Sequence, residues 1–410
     1  MRFKCVSKSW QSFIQGSYFV ELHLSRSKTH PQLLITVQNL NCDSLSIFSP
    51  EDEFIGGVAL QKATVAWSEH AAMLTPIDGL CCFVDYLYGV TCICNLGTRQ
   101  FTPGAQTSVN LGTPWAQFQT SANRGTRQGE PFEEPPPLVT QKPTYGFGFD
   151  PMTKKYKILC VWEICNHALE AKYFLGLGTM RPKLEQICEV FTVGENQWRK
   201  IDEAPGIRLS GAAVYAKGSI YMRNDGVDLF TPPDNEVVVA FDVGSEKFRV
   251  IQIPDFIVGS SGTVKRDSDR RARNLLQIDG HMALMDRVDE YVMKLWISDD
   301  SYKEKKMTTN WTEETIWLPS PFQEGHYPRL IPVQGTDEII IASQIPAHID
   351  PSPRRFVSVY IYNRTMKSSQ EIDIAGVSAL LTSPYPYGMF IYHESLVPIQ
   401  DAEKKLDRPT

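Results

Sequence analysis

Two hydrophobic rhythms divide the chain. From Met1 to Leu24 the apolar residues Phe3, Val6, Trp10, Phe13 and Ile14 recur three and four positions apart, the period of an amphipathic helix. Gly16 ends that run, and Tyr18, Phe19, Leu22 and Leu24 begin a second short helical pattern. Helices this short, with so wide an apolar face, do not stand alone in water and need a surface to pack against. After Pro31 the rhythm changes. Leu33-Leu34-Ile35-Thr36-Val37 reads as a strand, and no long helical period succeeds it.

Beyond that point short β-like runs alternate with polar turns, and several share one layout: a strand, a turn, then an aromatic that opens the returning strand. Ser46-Ile47-Phe48 leads through 49–53 to Phe54, and Val90–Cys94 leads through Asn95-Leu96-Gly97-Thr98-Arg99-Gln100 to Phe101. Tyr145–Phe149 leads through Asp150-Pro151-Met152-Thr153-Lys154-Lys155 to Tyr156, and Glu189–Val193 leads through 194–197 to Trp198. Val237–Phe241 leads through Asp242-Val243-Gly244-Ser245-Glu246-Lys247 to Phe248, while Tyr291–Ile297 and Val357–Tyr362 open two looser copies. Asp, Asn, Pro and Gly stand where a hairpin loop needs unusual backbone angles, and the returning aromatic packs across the pair. The copies recur at roughly 40 to 65 residues, near the spacing of propeller blades but less regular. Each hairpin must bury one face. Radial stacking of four-stranded blades does so while protecting the edges, and a two-sheet sandwich is the competing arrangement. The expected fold is all-β: an irregular, kelch-like β-propeller of about six or seven blades behind a short N-terminal helical segment.

That pattern sets the organisation. Residues 1–30 form the helical segment and 31–400 the β domain. The stretch 104–142 is polar and holds Pro131, Pro135, Pro136 and Pro137, so it is expected to be a flexible insertion between strands. The charged tail 401–410 is expected to be disordered.

Composition narrows the function more than the fold. The 410 residues carry a net charge of −6, with 42% apolar and 21% charged residues, ordinary for a globular protein. That balance disfavours a nucleic-acid surface, which concentrates basic residues on one face. Lys265, Arg266, Arg270, Arg271 and Arg273 form a local exception, interrupted by Asp267 and Asp269 and read as a solvated loop. No run approaches the roughly 20 apolar residues of a membrane span, and Met1–Cys5 leads into polar residues without a signal-peptide core. Nine cysteines without a regular framework suggest reduced thiols in the cytoplasm or nucleus.

Catalytic chemistry finds no foothold in the motifs. There is no Gly-Lys-Ser/Thr phosphate loop, and Gly146-Phe147-Gly148 lacks the third glycine of a dinucleotide fingerprint, reading instead as a flat strand packed under aromatics. Gly259-Ser260-Ser261-Gly262 lacks the spacing of a nucleophile elbow. Cys81 and Cys82 point to opposite faces, while Cys92 and Cys94 share one without a partner pair at zinc-site spacing; all read as buried small hydrophobes. His393-Glu394 is followed by Val397 where a zinc helix needs histidine, and Asn224-Asp225-Gly226 follows Arg223 where a calcium loop needs oxygen. Scattered histidines such as His167 and His281 form no triad. A copper-oxidase propeller lacks its ligand cluster. No enzyme activity, cofactor or metal is expected.

The segment Met1-Arg2-Phe3-Lys4-Cys5-Val6-Ser7-Lys8-Ser9-Trp10, continuing through Phe19-Val20-Glu21-Leu22-His23-Leu24, resembles the back half of a plant F-box, without the Leu-Pro-rich front half. The rest of the chain resembles the F-box-associated interaction domain. Asp78-Gly79-Leu80-Cys81 is similar to its early Gly-Leu-Leu-Cys signature, and Cys94-Asn95-Leu96-Gly97-Thr98-Arg99 to its Cys-Asn-Pro-Thr-Thr-Arg run, with Leu96 for proline. Gly146-Phe147-Gly148-Phe149-Asp150-Pro151 through Tyr156 resembles the central signature, and Trp198, Phe241, Asp242 and Phe248 continue the order to about residue 395. The resemblance implies a substrate receptor of an SCF-type ubiquitin ligase, a non-enzymatic subunit whose F-box docks a Skp-type adaptor on a cullin. The β domain would then hold a target protein that the sequence leaves unnamed, with no nucleic-acid or membrane partner. The segments 104–142 and 259–273 are the candidate recognition loops. Phe3, Cys5, Val6, Trp10 and Ile14 are the implied remnant of the adaptor surface. The alternative is a stand-alone interaction module that no longer docks the adaptor, those residues packing on the β domain instead.

Overall fold

The structure, a computed structural model, describes residues 7–39, 44–50, 57–66, 71–86, 88–108, 143–164, 185–195, 197–224, 236–258, 274–289, 291–299, 310–319, 327–344, 356–375, 388–399 and 404–405. Two helices come first. In α1 (Lys8–Gln15) the Ser7 side chain accepts a hydrogen bond from the Trp10 amide at 3.2 Å, capping an otherwise orphaned donor. Gly16 separates it from α2 (Ser17–Lys28), which runs four residues beyond the expected second pattern.

Strands make up the remainder. β1 (Gln32–Asn39), β2 (Ser44–Pro50) and β3 (Gly57–Ala66) form an antiparallel meander. A second group holds β4 (Ala71–Met73), β5 (Leu80–Asp85) and β6 (Val90–Asn95), with the short outer pieces β7 (Gln100–Phe101) and β8 (Ala105–Gln106). The third is β9 (Thr144–Asp150), β10 (Lys155–Ile164), β11 (Glu185–Thr192) and β12 (Trp198–Ile201). The fourth is β13 (Ser210–Ala216), β14 (Ser219–Asn224), β15 (Val237–Asp242) and β16 (Lys247–Gln252), followed by the single turn α3 (Asp255–Val258). The fifth is β17 (Asn274–Ile278), β18 (His281–Arg287), β19 (Val292–Asp299) and β20 (Asn310–Trp317). The sixth is β21 (Tyr327–Pro332), β22 (Glu338–Gln344), β23 (Phe356–Asn363) and β24 (Ser368–Ala375). Then β25 (Gly388–Tyr392) returns to pair with β1, from Gln32 opposite Tyr392 to Thr36 opposite Gly388, and completes the first blade.

Buried side chains show why this is a propeller and not a sandwich. Two packed sheets share one core. Here six apolar clusters each join two successive blades: Leu34, Ile47 and Phe83 between the first and second, Cys82, Phe147 and Trp162 next, then Leu159, Ile220 and Phe241. Val238, Leu284 and Trp296 join the fourth and fifth blades, Met285, Leu295 and Ile341 the fifth and sixth, and Ile35, Ile340 and Val359 the sixth and first. The cycle closes. A two-residue parallel contact of β24 with β3 also joins the outer edges of the last and first blades.

The Gly146-Phe147-Gly148 run needs a correction. Its aromatics face the second blade, but its glycines face the fourth, where added Cβ atoms would collide with Ile220 and Val243. Close approach of two blades, not packing beneath aromatics, requires glycine there. Four hairpins also share one turn. Asn95, Asp150, Asp242 and Asn363 each accept a backbone amide two or three residues on, from Thr98, Met152, Ser245 and Met366. The fourth residue after each, Arg99, Lys154, Glu246 and Lys367, has φ of 58, 55, 57 and 52°. The Asx side chain stabilises the left-handed position that the turn imposes on a non-glycine residue.

Residues 109–142 of the expected insertion lie outside the described residues. Of the tail, Lys404–Lys405 pairs as β26 with Gln100–Phe101 of the second blade; the rest of 401–410 is outside the described residues.

Candidate functional site

Antiparallel blades give the propeller two unlike ends. Turns joining first to second and third to fourth strands gather at one end, where Lys217-Gly218 and Asp279-Gly280 each make a two-residue loop. The longest connection there spans 300–309. Connections between second and third strands, and between blades, join strand ends at the other: 165–184, 225–236, 253–273, 345–355, 376–387 and the 107–143 segment. Of the two loops expected to carry target recognition, 259–273 and the 107–142 part of 104–142 therefore connect strand ends at that same end, while Ala105–Gln106 belongs to β8. At that end Tyr88, Phe256 and Tyr291 are 56, 60 and 52% exposed.

The helical pair sits at the short-turn end. Glu21 of α2 pairs with Lys154 in the β9–β10 turn at 3.2 Å, and Lys28 pairs with Asp78 in the β4–β5 turn at 2.7 Å. Of the implied adaptor surface, Phe3, Cys5 and Val6 lie outside the described residues. Trp10 is 49% exposed and Ile14 only 9%. Ile14, with Val20 and the partly buried Phe19, packs on Leu396 and Val397 of the β domain. Trp10, Phe13, Tyr18 and Leu22 are left exposed, with Phe13 bridging Trp10 and Phe19 through ring centroids at 6.2 and 5.1 Å.

Signature residues occupy three successive blades, the second to the fourth. Gly79, Leu80, Cys81, Asn95 and Arg99 belong to the second blade, where Cys81 stands directly opposite Cys94 and both are buried. There Asn95 Nδ2 donates to the Val397 carbonyl at 2.8 Å, and a Cβ on Gly79, at φ +80°, would overlap Ser395. Burial pushes the Cys82 and Cys92 thiols up, Cys92 to about 12, so they behave as apolar filling.

Gly146, Phe147, Gly148, Asp150, Pro151 and Tyr156 shape the β9–β10 hairpin. Asp150 accepts from the Met152 amide at 2.9 Å and the Thr153 hydroxyl at 2.6 Å. Burial alone would raise its carboxyl; these bonds and Lys157 outweigh it and hold it below the usual range. The Trp198 ring lies tilted against Phe191 at 5.6 Å, and Phe248 against Phe241 at 4.9 Å. Asp242 caps its turn through Ser245, and Glu246 at that turn's left-handed position ties Lys157 (2.9 Å) and Arg199 (2.7 Å) of the third blade to the fourth. These residues build the blades and their turns. Among the described residues no group of three or more His, Cys, Asp or Glu is placed to hold a metal.

Sequence reasoning missed Ser395, Leu396 and Val397. Their one signal was an apolar pattern, Leu396, Val397 and Ile399, outside any strand.

Fold and site together define a six-bladed β-propeller bearing a helical pair at one end. The family model of the F-box associated beta propeller domain matches residues 32–390, and the chain belongs to that family. Its relatives in Arabidopsis thaliana include F-box protein At2g16450, 24% identical over 98% of this chain and 90% of that one. F-box/kelch-repeat protein At3g04660 is 25% identical over 91% of this chain and 82% of its own length. F-box protein DOR is 25% identical over 92% and 84%.

Proposed function

We propose that this protein is the substrate-recognition subunit of an SCF-type ubiquitin ligase. The α1–α2 pair docks a Skp-type adaptor that hangs from a cullin, and the opposite end of the propeller holds a target protein. One observation carries the reading: the exposed Trp10, Phe13, Tyr18 and Leu22 surface is fixed at the short-turn end, away from the long connections and exposed Tyr88, Phe256 and Tyr291. A receptor must bind two partners at once, and this division keeps the two surfaces at separate ends of the ring. The protein does no covalent chemistry in this scheme; it raises the effective concentration of a target lysine near the conjugating enzyme. Its site of action is the cytoplasm or nucleus.

The test is co-purification from plant cells, scored for adaptor and cullin. Both are expected with the unaltered chain, and Trp10→Ala with Phe13→Ala should reduce adaptor recovery at least ten-fold. Target capture without adaptor would overturn the reading in favour of a stand-alone module that shields its target from ubiquitination.

A further inference from the structure

We infer that residues 393–399, beyond the last blade strand, form a strap that sets the angle of the α1–α2 pair on the propeller, with Asn95 as its positioning residue. The functional consequence rests on the adaptor-docking reading above; the mechanical claim does not. Both the strap and the helices lie outside the 32–390 family match.

The strap has two working faces. Toward the propeller, Asn95 Nδ2 donates to the Val397 carbonyl at 2.8 Å, and the Ile399 amide donates to Gln100 Oε1 at 3.4 Å. Ile399 enters the core between the second and third blades. The Gly79 and Gly97 positions admit the strap closely: a Cβ on Gly79 would stand 2.5 Å from the His393 carbonyl, and one on Gly97 2.7 Å from that of Ser395. Toward the helices, Leu396 packs with Ile14 and Val20, and His393 Nδ1 donates to the Ser27 carbonyl at 3.4 Å. Besides the strap, α2 is tied to the blades by the exposed Glu21–Lys154 pair and the Lys28–Asp78 pair. The first is solvated and holds little; in the second Asp78 is largely buried but Lys28 is half exposed, so it adds a modest tie. Among the described residues the apolar and hydrogen-bonded attachment runs through the strap.

Asn95 gives a sharp test because its two amide atoms do separate jobs. Oδ1 accepts the Thr98 amide at 3.0 Å and shapes the turn, while Nδ2 alone reaches the strap. Aspartate fills the equivalent turn position at Asp150 and Asp242. Asn95→Asp thus keeps the turn and replaces the strap donor by a second acceptor facing a carbonyl. Leu396→Ala cuts the other face, and Asn363→Asp in the sixth blade is the control.

The experiment is second-timescale hydrogen exchange on the full chain. Asn95→Asp and Leu396→Ala should each speed exchange of 17–28 at least ten-fold, leaving β9 to β20 unchanged, and Asn363→Asp should leave 17–28 at the wild-type rate. Unchanged exchange in 17–28 for both strap variants, or an equal rise across all blades, would overturn the proposal. Adaptor capture by the unaltered chain is scored separately: its failure removes the docking reading and leaves the exchange result standing.

Discussion

Replacing Gly148 by alanine isolates what the glycines of the central signature do. Gly148 has no left-handed φ, so the added methyl brings no backbone strain and the cost is packing alone. That methyl would stand 2.7 Å from Val243 Cγ2, 2.9 Å from Ile220 Cγ1 and 3.0 Å from Ile220 Cδ1. Carbon atoms settle at about 3.5–4.0 Å, so these neighbours must withdraw by roughly 0.5–1 Å. Neither can do so freely, since Ile220 and Val243 are both 0% exposed in the core between the third and fourth blades. Overpacking of this kind costs about 1–3 kcal/mol. Ile220→Ala alone should cost about 2–5 kcal/mol through the cavity it leaves. Together the two should cost at least about 1 kcal/mol less than their sum, because the methyl added at position 148 occupies space that Ile220 vacates. The assay is urea unfolding followed by tryptophan fluorescence, comparing midpoints at unchanged slope. A Gly148→Ala protein within about 0.5 kcal/mol of wild type, or strict additivity in the double variant, would refute the close-approach account.

Three further outcomes are expected. Burial would raise the Glu246 carboxyl, but Arg199 and Lys157 hold it below the ordinary range, so its contribution is present above about pH 4.3 and lost as pH falls through the folded value. Glu246→Gln should cost about 1–3 kcal/mol at pH 7 and flatten that part of the acid limb of urea midpoint against pH. Arg364 forks onto Glu314 at 2.8–3.2 Å and reaches Asp279 at 2.7 Å, so Arg364→Met should cost about 1–2 kcal/mol by the same assay, and Arg364→Lys should recover less than half, lacking the planar fork. Burial, with Lys28 beside it, holds the His393 imidazole below its ordinary value against the opposing Ser27 carbonyl and Asp78, so strap attachment is full above about pH 6.5 and weakens as pH falls toward the folded value. Exchange of 17–28, corrected for intrinsic pH dependence, should rise between pH 7.5 and 5.5 in the wild type and not in His393→Gln.

The blades were legible because each hairpin carries its own turn chemistry. Val90–Cys94 with Phe101, Glu189–Val193 with Trp198, and Val237–Phe241 with Phe248 are all outer hairpins of successive blades. The spacing looked irregular for a structural reason: the Tyr145–Tyr156 copy is the inner hairpin of the third blade, so that blade contributes two copies while others contribute one. Which face a glycine serves was not legible. Gly146 and Gly148 alternate with Phe147 and Phe149 along the chain, but only the neighbouring blade decides that they meet Ile220 and Val243. Ile14 was legible as apolar, and its partner Leu396 was not, because the two are joined only by ring closure.

Ring closure explains why a C-terminal segment governs an N-terminal surface. A propeller of separate blades leaves its first and last open to one another, and this chain joins them by lending β25 to the blade that β1 begins. Gln32 then pairs with Tyr392, so the chain entering the ring just after α2 and the chain leaving it at His393 stand side by side. Any helical head that precedes β1 by only a few residues must therefore rest where the last strand emerges. The Asp78-Gly79 turn and the Asn95 turn lie under that point, and Asp78 takes Lys28 of the head while Gly79 makes room for Ser395 of the strap. An inserted residue between Lys28 and Gln32 would swing the helices away from Leu396 without touching a blade. A substitution at Asn95 would loosen the same joint from below. The seating of the helical pair is thus set by second-blade turns well downstream of the helices in sequence and coupled to them chiefly through the strap.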